Sequence, residues 1–332
     1  MSSTFSFGAL LRRPEAGAAL GLVAVLIFFA IFGGVTFLKP SGMASWLNVA
    51  ANLGVIAIPL GLLMIAGELD ISVGAMVPLG AMTVAVVSGH YGLPVWIGIT
   101  AALSFGVIVG LVNGFLVIRT AVPSLIVTLG SLFAVQGIVL GLTVLITKST
   151  SVALATEGVA KAMFGDFVLG GQLQVMVLWW LGLTAVYVFY VHLSPFGNWI
   201  FAMGGDKVSA RNAGIPTDRL TMVLFVLSST SAAFVGMCQA ILYNSAQVAG
   251  GQSFIFNAII SVVVGGVLLT GGYGSVVGII LGTLTFAVVS QGIYYTPFDA
   301  NWASLIIGVL LLGAVLMNNT FRKMALSYAP KK

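Results

Sequence analysis

The segment FGVIVGLVNG, residues 105–114, lies within a long apolar run and recurs near the carboxyl end as YGSVVGIILG, residues 273–282. The shared pattern is an aromatic residue, Gly, two residues, Val, Gly, three residues and Gly. The two copies lie in the fourth and ninth apolar runs, which are five runs apart. Because this separation is odd, the second copy crosses a membrane in the opposite direction. The pattern predicts an inverted repeat, an arrangement that transporters use to expose one central site alternately to each side.

The glycines of the two copies also predict close helix packing. Gly106, Gly110 and Gly114 are spaced by four residues, as are Gly278 and Gly282. Such faces of small residues allow the backbones of two membrane helices to approach each other. We therefore expect a tightly packed helix bundle.

The composition excludes a soluble domain. Hydrophobic residues make up 59% of the 332 residues and charged residues only 6%, which leaves too little polar surface for a globular protein. The apolar runs are continuous and do not alternate with a period of two, which excludes a β-barrel. The sequence therefore predicts an all-α polytopic membrane protein that forms a single transmembrane domain.

We expect about ten transmembrane helices in two inverted five-helix pseudo-repeats, at about 16–147 and 174–318, because a spanning helix needs about 20 apolar residues. The predicted spans are 16–38, 48–66, 71–88, 93–117, 123–147, 174–192, 220–243, 254–270, 275–296 and 302–318.

The basic residues predict the orientation, because cytoplasmic loops carry an excess of Lys and Arg. With the amino terminus inside, only Lys39, Lys148 and Lys161 of the 13 basic residues lie outside. Both termini and the loop at 193–219 are therefore assigned to the cytoplasmic side of the membrane. The basic residues are dispersed and are not interleaved with aromatic residues, so nucleic acid is not an expected partner.

The segment GGDKVSARNAGIPTDRL, residues 204–220, concentrates charge between two apolar runs. Its glycines predict a compact helical element between turns, in contact with water. Where charge is so scarce, we interpret this loop as a surface for another protein, although a merely solvated loop is the alternative.

A second unusual segment, GELDISVG at residues 67–74, places Glu68 and Asp70 between two apolar runs. A carboxylate at the centre of a membrane helix costs about 2.5–3.5 kcal/mol on insertion scales, so these groups need solvation or partners. In one interpretation, Asp70 caps the third helix by accepting backbone N–H bonds near Ser72. In another, the segment is a polar break beside a permeation path.

The other polar side chains within the predicted spans are neutral, which suits an uncharged polar solute such as a sugar better than an ion. Each of them alone is also explained by a hydrogen bond between helices. The candidate residues of a translocation path are Asn52, Asp70, Ser72, Asn113, Thr128 and Gln239.

No catalytic or metal-binding motif is present in the sequence. It contains no P-loop, dinucleotide fingerprint, HExxH or GxSxG, and Cys238 is the single cysteine, which excludes a disulfide framework. The chain is therefore not expected to be an enzyme or to hold a cofactor. If ATP drives transport, the ATPase must be another chain.

Four segments in order resemble the permease subunits of bacterial ABC importers for monosaccharides, the group that includes ribose, xylose and autoinducer-2 permeases. GELDISVG resembles the GGIDLSVG segment of that family, with Glu68 in place of the second Gly. NGFLVIRTAVPSLIVTLGS, residues 113–131, and VVVGGVLLTGGYGSVVG, residues 262–278, are similar to two further family segments. Related branched-chain amino-acid permeases share the broad architecture and generally lack the GGIDLSVG-like segment.

The fourth segment, GGDKVSARNAGI, resembles the cytoplasmic GGN-x-x-AA-x-x-SGI loop of the family, with Asp206 in place of Asn and with Arg211 and Ala213 in place of small residues. The resemblance implies that this loop forms a coupling helix seated in the ATPase. The residues that carry this role are Gly204, Gly205, Asp206, Ala210, Arg211, Gly214 and Ile215.

The resemblance also implies the partners. A permease dimer, formed with a second copy or a sister permease, works with cytoplasmic ATPases that use ATP and Mg and with an extracytoplasmic solute-binding protein. The segment 148–173, predicted to lie outside, is a candidate docking surface for that protein. The alternative hypothesis is a secondary transporter that couples a proton gradient through Glu68 and Asp70.

Overall fold

A computed structural model describes residues 14–316 except 121, 303 and 314. Within these residues the chain is almost entirely helical, which confirms the all-α class. The helices are α1 (Pro14–Phe32), α2 (Gly34–Leu38), α3 (Pro40–Ile65), α4 (Val73–Val84, continued by a π-helical turn at Ala85–His90), α5 (Val95–Arg119), α6 (Ser124–Thr147), α7 (Gly158–Phe164), α8 (Met176–Leu193), α9 (Pro195–Gly205), α10 (Lys207–Asn212), α11 (Thr217–Tyr243), α12 (Gln252–Val264), α13 (Val276–Gly292) and α14 (Ser304–Gly313).

Eight helices of the described chain are long and apolar enough to cross a membrane. Two shorter apolar helices, α12 and α14, correspond to the eighth and tenth predicted spans. The end of the tenth predicted span, at residues 317 and 318, lies outside the described residues. The ten predicted runs are therefore all represented by helices, of which two are short.

Two boundaries differ from the prediction at the start of the chain. The first predicted span is divided between α1 and α2, because Gly34 adopts a φ of 60°, in the left-handed region that favours glycine. The next helix, α3, begins at Pro40 and so starts eight residues before the predicted span. Proline suits the first turn of a helix, where its missing N–H has no partner to lose.

The eighth predicted span also ends early, at Val264 instead of residue 270. Gly265 and Gly266 follow, and Gly266 has a φ of 91°. At 1.5 Å per residue, the 13 residues of α12 span about 20 Å, less than the ~30 Å of hydrocarbon in a bilayer. Irregular backbone continues through residues 265–275 before α13 begins.

The core of the bundle is formed by α3, α4, α11 and α13. In the most apolar stretch of α3, 83% of residues are buried, against 22% in α6, which lies at the perimeter. Helix α11 packs against α3, α4 and α5, while α3 also packs against α8, α12 and α13.

Glycines create the closest of these contacts. A Cβ atom on Gly110 would lie 2.5 Å from the Cα atom of Val226 in α11, and one on Gly114 would lie 3.2 Å from the Cα atom of Met222. On α13, a Cβ atom at Gly282 would lie 2.1 Å from the carbonyl oxygen of Ser261 in α12. The close packing predicted for both glycine faces is therefore confirmed.

The connections gather at two opposite ends of the bundle. At the first, which we name the GGD end, the backbone near Ile65 meets Gly204 and Gly272. At the second, the strand end, β1 (Ser151–Ala153) pairs antiparallel with β4 (Ser245–Gln247). A smaller pair, β2 (Phe167–Val168) and β3 (Leu173–Gln174), lies within the 148–173 segment and its continuation to α8.

Lys161 fixes the 148–173 segment to the bundle. Its Nζ donates to the carbonyl oxygens of Ile241 and Leu242, at 2.6 and 3.1 Å, and to Oδ1 of Asn244 at 3.1 Å. These groups lie at the carboxyl end of α11, where the helix dipole favours a cation. The segment is therefore tied to the bundle and not a free loop.

The contact of Gly110 with α11 predicts a large effect of a small substitution. We expect Gly110→Ala to destabilise the protein by about 1–3 kcal/mol, because the new methyl group would overlap the backbone of α11. Gly182→Ala in α8 is the control, since a Cβ atom there has no neighbour within 4 Å. Thermal unfolding of both variants in detergent measures the difference, and equal midpoints would contradict the packing.

Candidate functional site

The charged loop after α9 contains the short helix that its sequence predicted. Asp206 is the N-cap of α10, and its side chain accepts the backbone N–H of Ser209 at 2.6 Å. Hydrogen bonds from the Ser209 hydroxyl and backbone N–H lower the pKa of the exposed Asp206 carboxyl. The Asn of the family motif is also a good N-cap residue, so Asp206 preserves the cap.

The carboxyl end of α10 is closed by a pair of backbone hydrogen bonds. Gly214 N–H donates to the carbonyl of Arg211 at 2.9 Å, and Ile215 N–H donates to the carbonyl of Ala210 at 3.1 Å. Gly214 adopts a φ of 85°, as this type of helix end requires. Ala210 is buried and Ile215 is half-buried, which gives the apolar contact that accompanies it. The loop is thus a preformed rigid element.

The structure distinguishes the two adjacent glycines at the end of α9. A Cβ atom on Gly204 would lie 1.7 Å from the carbonyl oxygen of Ile65 and 2.5 Å from the backbone nitrogen of Gly272. The same carbonyl oxygen accepts the N–H of Gly272 at 2.8 Å. A Cβ atom on Gly205 would have no neighbour within 4 Å. Of these two positions, only residue 204 lacks room for a side chain, so only there do the neighbouring atoms require glycine.

Glu68, which replaces a glycine of the family motif, has a partner in the same loop. Its Oε1 lies 2.6 Å from Nζ of Lys207, the first residue of α10. The Glu68 side chain is 12% exposed and that of Lys207 is 36% exposed, so water screens the pair in part. This ion pair joins α10 to the connection between α3 and α4.

Two further charges of the loop pair near the surface. Arg211 forms an ion pair with Asp218 and also donates from Nε to Oγ1 of Thr217 at 3.2 Å. Both charged side chains are more than half exposed. Val208, 69% exposed, lies on the outer face of α10, opposite the buried Ala210.

Asp70 is fully buried and lies in a polar cluster at the end of the connection between α3 and α4. Its Oδ1 accepts the backbone N–H and the hydroxyl of Ser72, at 2.9 and 2.5 Å. The Ser72 hydroxyl in turn accepts from Nδ2 of Asn113 at 3.0 Å. Ser229 of α11 donates to Oδ2 of Asp70 at 3.4 Å, and Ser131 of α6 donates to Asn113. The cluster joins the start of α4 to α5, α6 and α11.

Thr128 supports the same connection through the backbone. Its hydroxyl lies 3.3 Å from the carbonyl oxygen of Leu69 and 3.3 Å from the N–H of Ile71, while the N–H of Leu69 donates to Ser124 at 3.1 Å. These bonds satisfy irregular backbone between α3 and α4. Asp70 accepts the backbone N–H of Ser72, but Ser72 is the N-cap residue of α4 and no side chain caps that helix.

Asn52 and Gln239 lie in a separate cluster nearer the strand end. Gln239 Nε2 donates to Oδ1 of Asn52 at 3.3 Å, and Asn52 Nδ2 donates to Oε1 of Gln174 at 2.8 Å. Asn48, one turn earlier on α3, accepts the N–H of Gln174 at 2.9 Å. This chain of amides joins α3, α11 and the β2–β3 pair.

The candidate path residues therefore fall into two groups and do not line one continuous channel in this structure. The four residues near the GGD end, Asp70, Ser72, Asn113 and Thr128, are fully buried and bond mainly to protein. Asn52 and Gln239 are half-buried. Sequence reasoning missed Ser131, Ser229 and Gln174, although the serine-rich run at 228–231 in α11 was an available signal.

The described part of the chain holds no group of three or more His, Cys, Asp or Glu side chains suited to a metal ion. Cys238 is buried within α11. The polar chemistry that the described residues offer is hydrogen bonding by amides and hydroxyls, with one buried carboxylate.

The comparisons with known proteins agree with this architecture. A model of the family described as the branched-chain amino acid transport system, permease component, matches residues 42–315. The fructose import permease protein FrcC of Rhizobium meliloti is 29% identical over 94% of this chain and 87% of its own length. The ribose import permease protein RbsC of Escherichia coli K12 is 27% identical over 90% and 92%.

A third relative is the inner membrane ABC transporter permease protein YjfF of Escherichia coli K12, which is 31% identical over 79% of this chain and 78% of its own length. The family match covers most of the chain, and the candidate spans agree with a multi-pass protein. The chain therefore belongs to this family of permease components, and it is the inner-membrane permease subunit of an ABC importer, whose ATPase activity resides in a separate subunit.

Proposed function

We propose that this permease translocates a neutral sugar or sugar-like solute, a pentose, a hexose or a polyol, into the cytoplasm. The observation that carries the proposal is the similarity to fructose and ribose import permeases along nearly the whole chain. The amide and hydroxyl groups of the two polar clusters support it, because they are chemically matched to sugar hydroxyls. A proton-coupled transporter does not fit the family to which the chain belongs.

In this proposal, α10 is the coupling helix that sits in the partner ATPase, which binds and hydrolyses ATP with Mg. The caps at both ends of α10 keep it rigid, and the exposed Val208 offers an apolar anchor. Arg211 and Asp218 add polar groups at its edge. A rigid element of this kind transmits a domain movement that a flexible loop would absorb.

Two contacts offer a route from α10 into the bundle. Gly204 presses against the carbonyl end of α3, and Lys207 pairs with Glu68 at the start of the α3–α4 connection. That connection continues to Asp70 and Ser72, which bond to α5 and α11. A displacement of α10 by the ATPase would therefore move the backbone that holds the polar cluster.

We further propose the orientation and the assembly. The GGD end faces the cytoplasm together with both termini, because the connections that the basic residues assign to one side meet there. The strand end then faces outward, where the 148–173 segment receives the solute-binding protein. A second copy or a sister permease completes a dimer, with the two pseudo-repeats, 16–147 and 174–318, alternating access within each subunit.

Uptake by purified components tests the function. Proteoliposomes that contain this chain, its ATPase and the binding protein should accumulate D-ribose or D-fructose only with ATP, and collapse of the proton gradient should leave uptake unchanged. Omission of each component is the control. Uptake by this chain alone that disappears with the gradient would instead establish secondary transport.

Gly204 and Gly205 form a matched pair of positions for the coupling proposal. We expect Gly204→Ala to reduce uptake per ATP hydrolysed several-fold, because its methyl group would displace α9 from the carbonyl end of α3. Gly205→Ala should behave as the unchanged protein, since its methyl group meets open space. The measurement is sugar uptake and ATP hydrolysis in the same liposomes, and identical ratios in the two variants would contradict the route through Gly204.

The ion pair between Glu68 and Lys207 predicts a charge-reversal experiment. Glu68→Lys or Lys207→Glu alone should reduce the thermal stability of the permease and its coupled ATPase activity, because each places like charges together. The double exchange should restore most of both properties. Asp218→Asn is the control for thermal stability alone, since the exposed pair with Arg211 is worth about 0–1 kcal/mol. If the double variant instead shows the sum of the losses of the two single variants, the ion pair does not link α10 to the connection between α3 and α4.

A further inference from the structure

We infer that a cavity at the strand end of this chain is the site that receives the sugar from the outer side, an inference that rests on the proposed function. The cavity has a volume of about 340 Å³. Ligand pockets range from about 300 to 1,000 Å³, so its size suits one small solute and not an oligomer. None of the side chains that line it carries a charge.

The lining combines the groups that recognise a neutral polyhydroxyl compound. Gln239 and Tyr243 come from the last turns of α11, and Ser245 and Gln247 come from β4. Amides and hydroxyls donate to and accept from sugar hydroxyls, while the Tyr243 ring offers an apolar face to the C–H groups of a sugar. Tyr243 is 64% exposed, so it is available at the rim.

The fold holds this lining in place. Gln247 pairs with Ser151 and Ser245 with Ala153 in the β1–β4 register, and the alternation along β4 directs Ser245 and Gln247 to the same face. Gln239 is fixed by its hydrogen bond to Asn52. The polar groups are thus positioned before a ligand arrives, which lowers the entropy cost of binding.

The cavity ends where two helix starts from different halves of the chain meet. A Cβ atom on Gly251, just before α12, would lie 1.8 Å from the carbonyl oxygen of Gly74 at the start of α4. A Cβ atom on Gly236 would lie 1.8 Å from the carbonyl oxygen of Val77. These backbone contacts close the floor, and Ser72 and Asp70, which precede Gly74 in the chain, belong to the buried cluster beyond it.

The arrangement therefore separates an accessible polar chamber from the buried polar cluster by a thin floor of close helix contacts. Discontinuous helices that start near the middle of a membrane commonly form the solute sites of transporters. The side chains of Ile255 and Pro78 pack against Gly74 and Gly251 at this floor, so a displacement of α4 or α12 that moves these two side chains apart opens it. The sugar would occupy the chamber before that step.

The protection of an introduced cysteine from maleimide labelling tests this inference. The native Cys238 is buried, so the introduced thiol is the one that the reagent reaches. Gln247→Cys is placed at the cavity wall, and Val159→Cys is the control, 66% exposed on α7 at the same end and outside the cavity. Cells that express the permease with its ATPase, but without the binding protein, are labelled with a membrane-impermeant maleimide. D-ribose, D-fructose and glycine betaine are each added to a separate sample, at the same high millimolar concentration and equal osmolarity.

We expect at least one of the two sugars to slow labelling of Gln247→Cys about threefold or more, and glycine betaine to have no effect at either position. Equal labelling rates with and without both sugars would overturn the inference. Gln247→Leu should in addition lower initial uptake in the complete system about three- to tenfold, as expected for one lost hydrogen bond to a neutral group. Uptake at the unchanged rate would also overturn it.

The outcome separates the inference from the proposed function. If the complete system takes up D-ribose or D-fructose while Gln247→Cys shows no protection, the cavity is not the reception site and the function stands. If the complete system takes up no neutral sugar, the proposed function fails and this inference fails with it.

Discussion

Within hydrocarbon, every backbone N–H and C=O group needs a partner in the protein, and this constraint explains where the irregular backbone of the chain lies. The connection between α3 and α4 is bonded by Ser124, Thr128 and the Ser72–Asp70 pair. The stretch 265–275 bonds to the carbonyl end of α3 through Gly272. Both breaks pack against the core helices, while the perimeter is formed by long, uninterrupted helices such as α5 and α6.

Glycine makes this arrangement possible, because the breaks and the helices that flank them touch through their backbones. Gly204 against Ile65 and Gly251 against Gly74 are contacts in which no side chain fits. Contacts of this kind are closely packed and carry little apolar side-chain surface, so they separate at a smaller cost than an interdigitated core. Such contacts suit a protein whose task requires helices to change position.

The scarce charges have a consistent distribution. In the charged segment 204–220, Asp206 caps a helix, Lys207 pairs with Glu68 and Arg211 pairs with Asp218, so four charged residues of the segment have partners within this chain. Toward the strand end, Lys161 satisfies carbonyl groups at the end of α11. Apart from Asp70, the polar side chains of the cavity and the buried clusters are neutral amides and hydroxyls, which agrees with transport of an uncharged solute.

The sequence by itself determined the membrane class, the places of the apolar runs and the short helix after α9, because hydrophobicity and glycine turns are local properties. The tertiary structure alone decided that Gly204 and not Gly205 is crowded, that Glu68 pairs with Lys207, and that Asn52 and Gln239 lie apart from Asp70. The structure also shows that α12 ends at Val264, because a glycine turn interrupts an apolar run that is continuous in the sequence. These features depend on residues far apart in the chain, and only the packing of the helices brings them together.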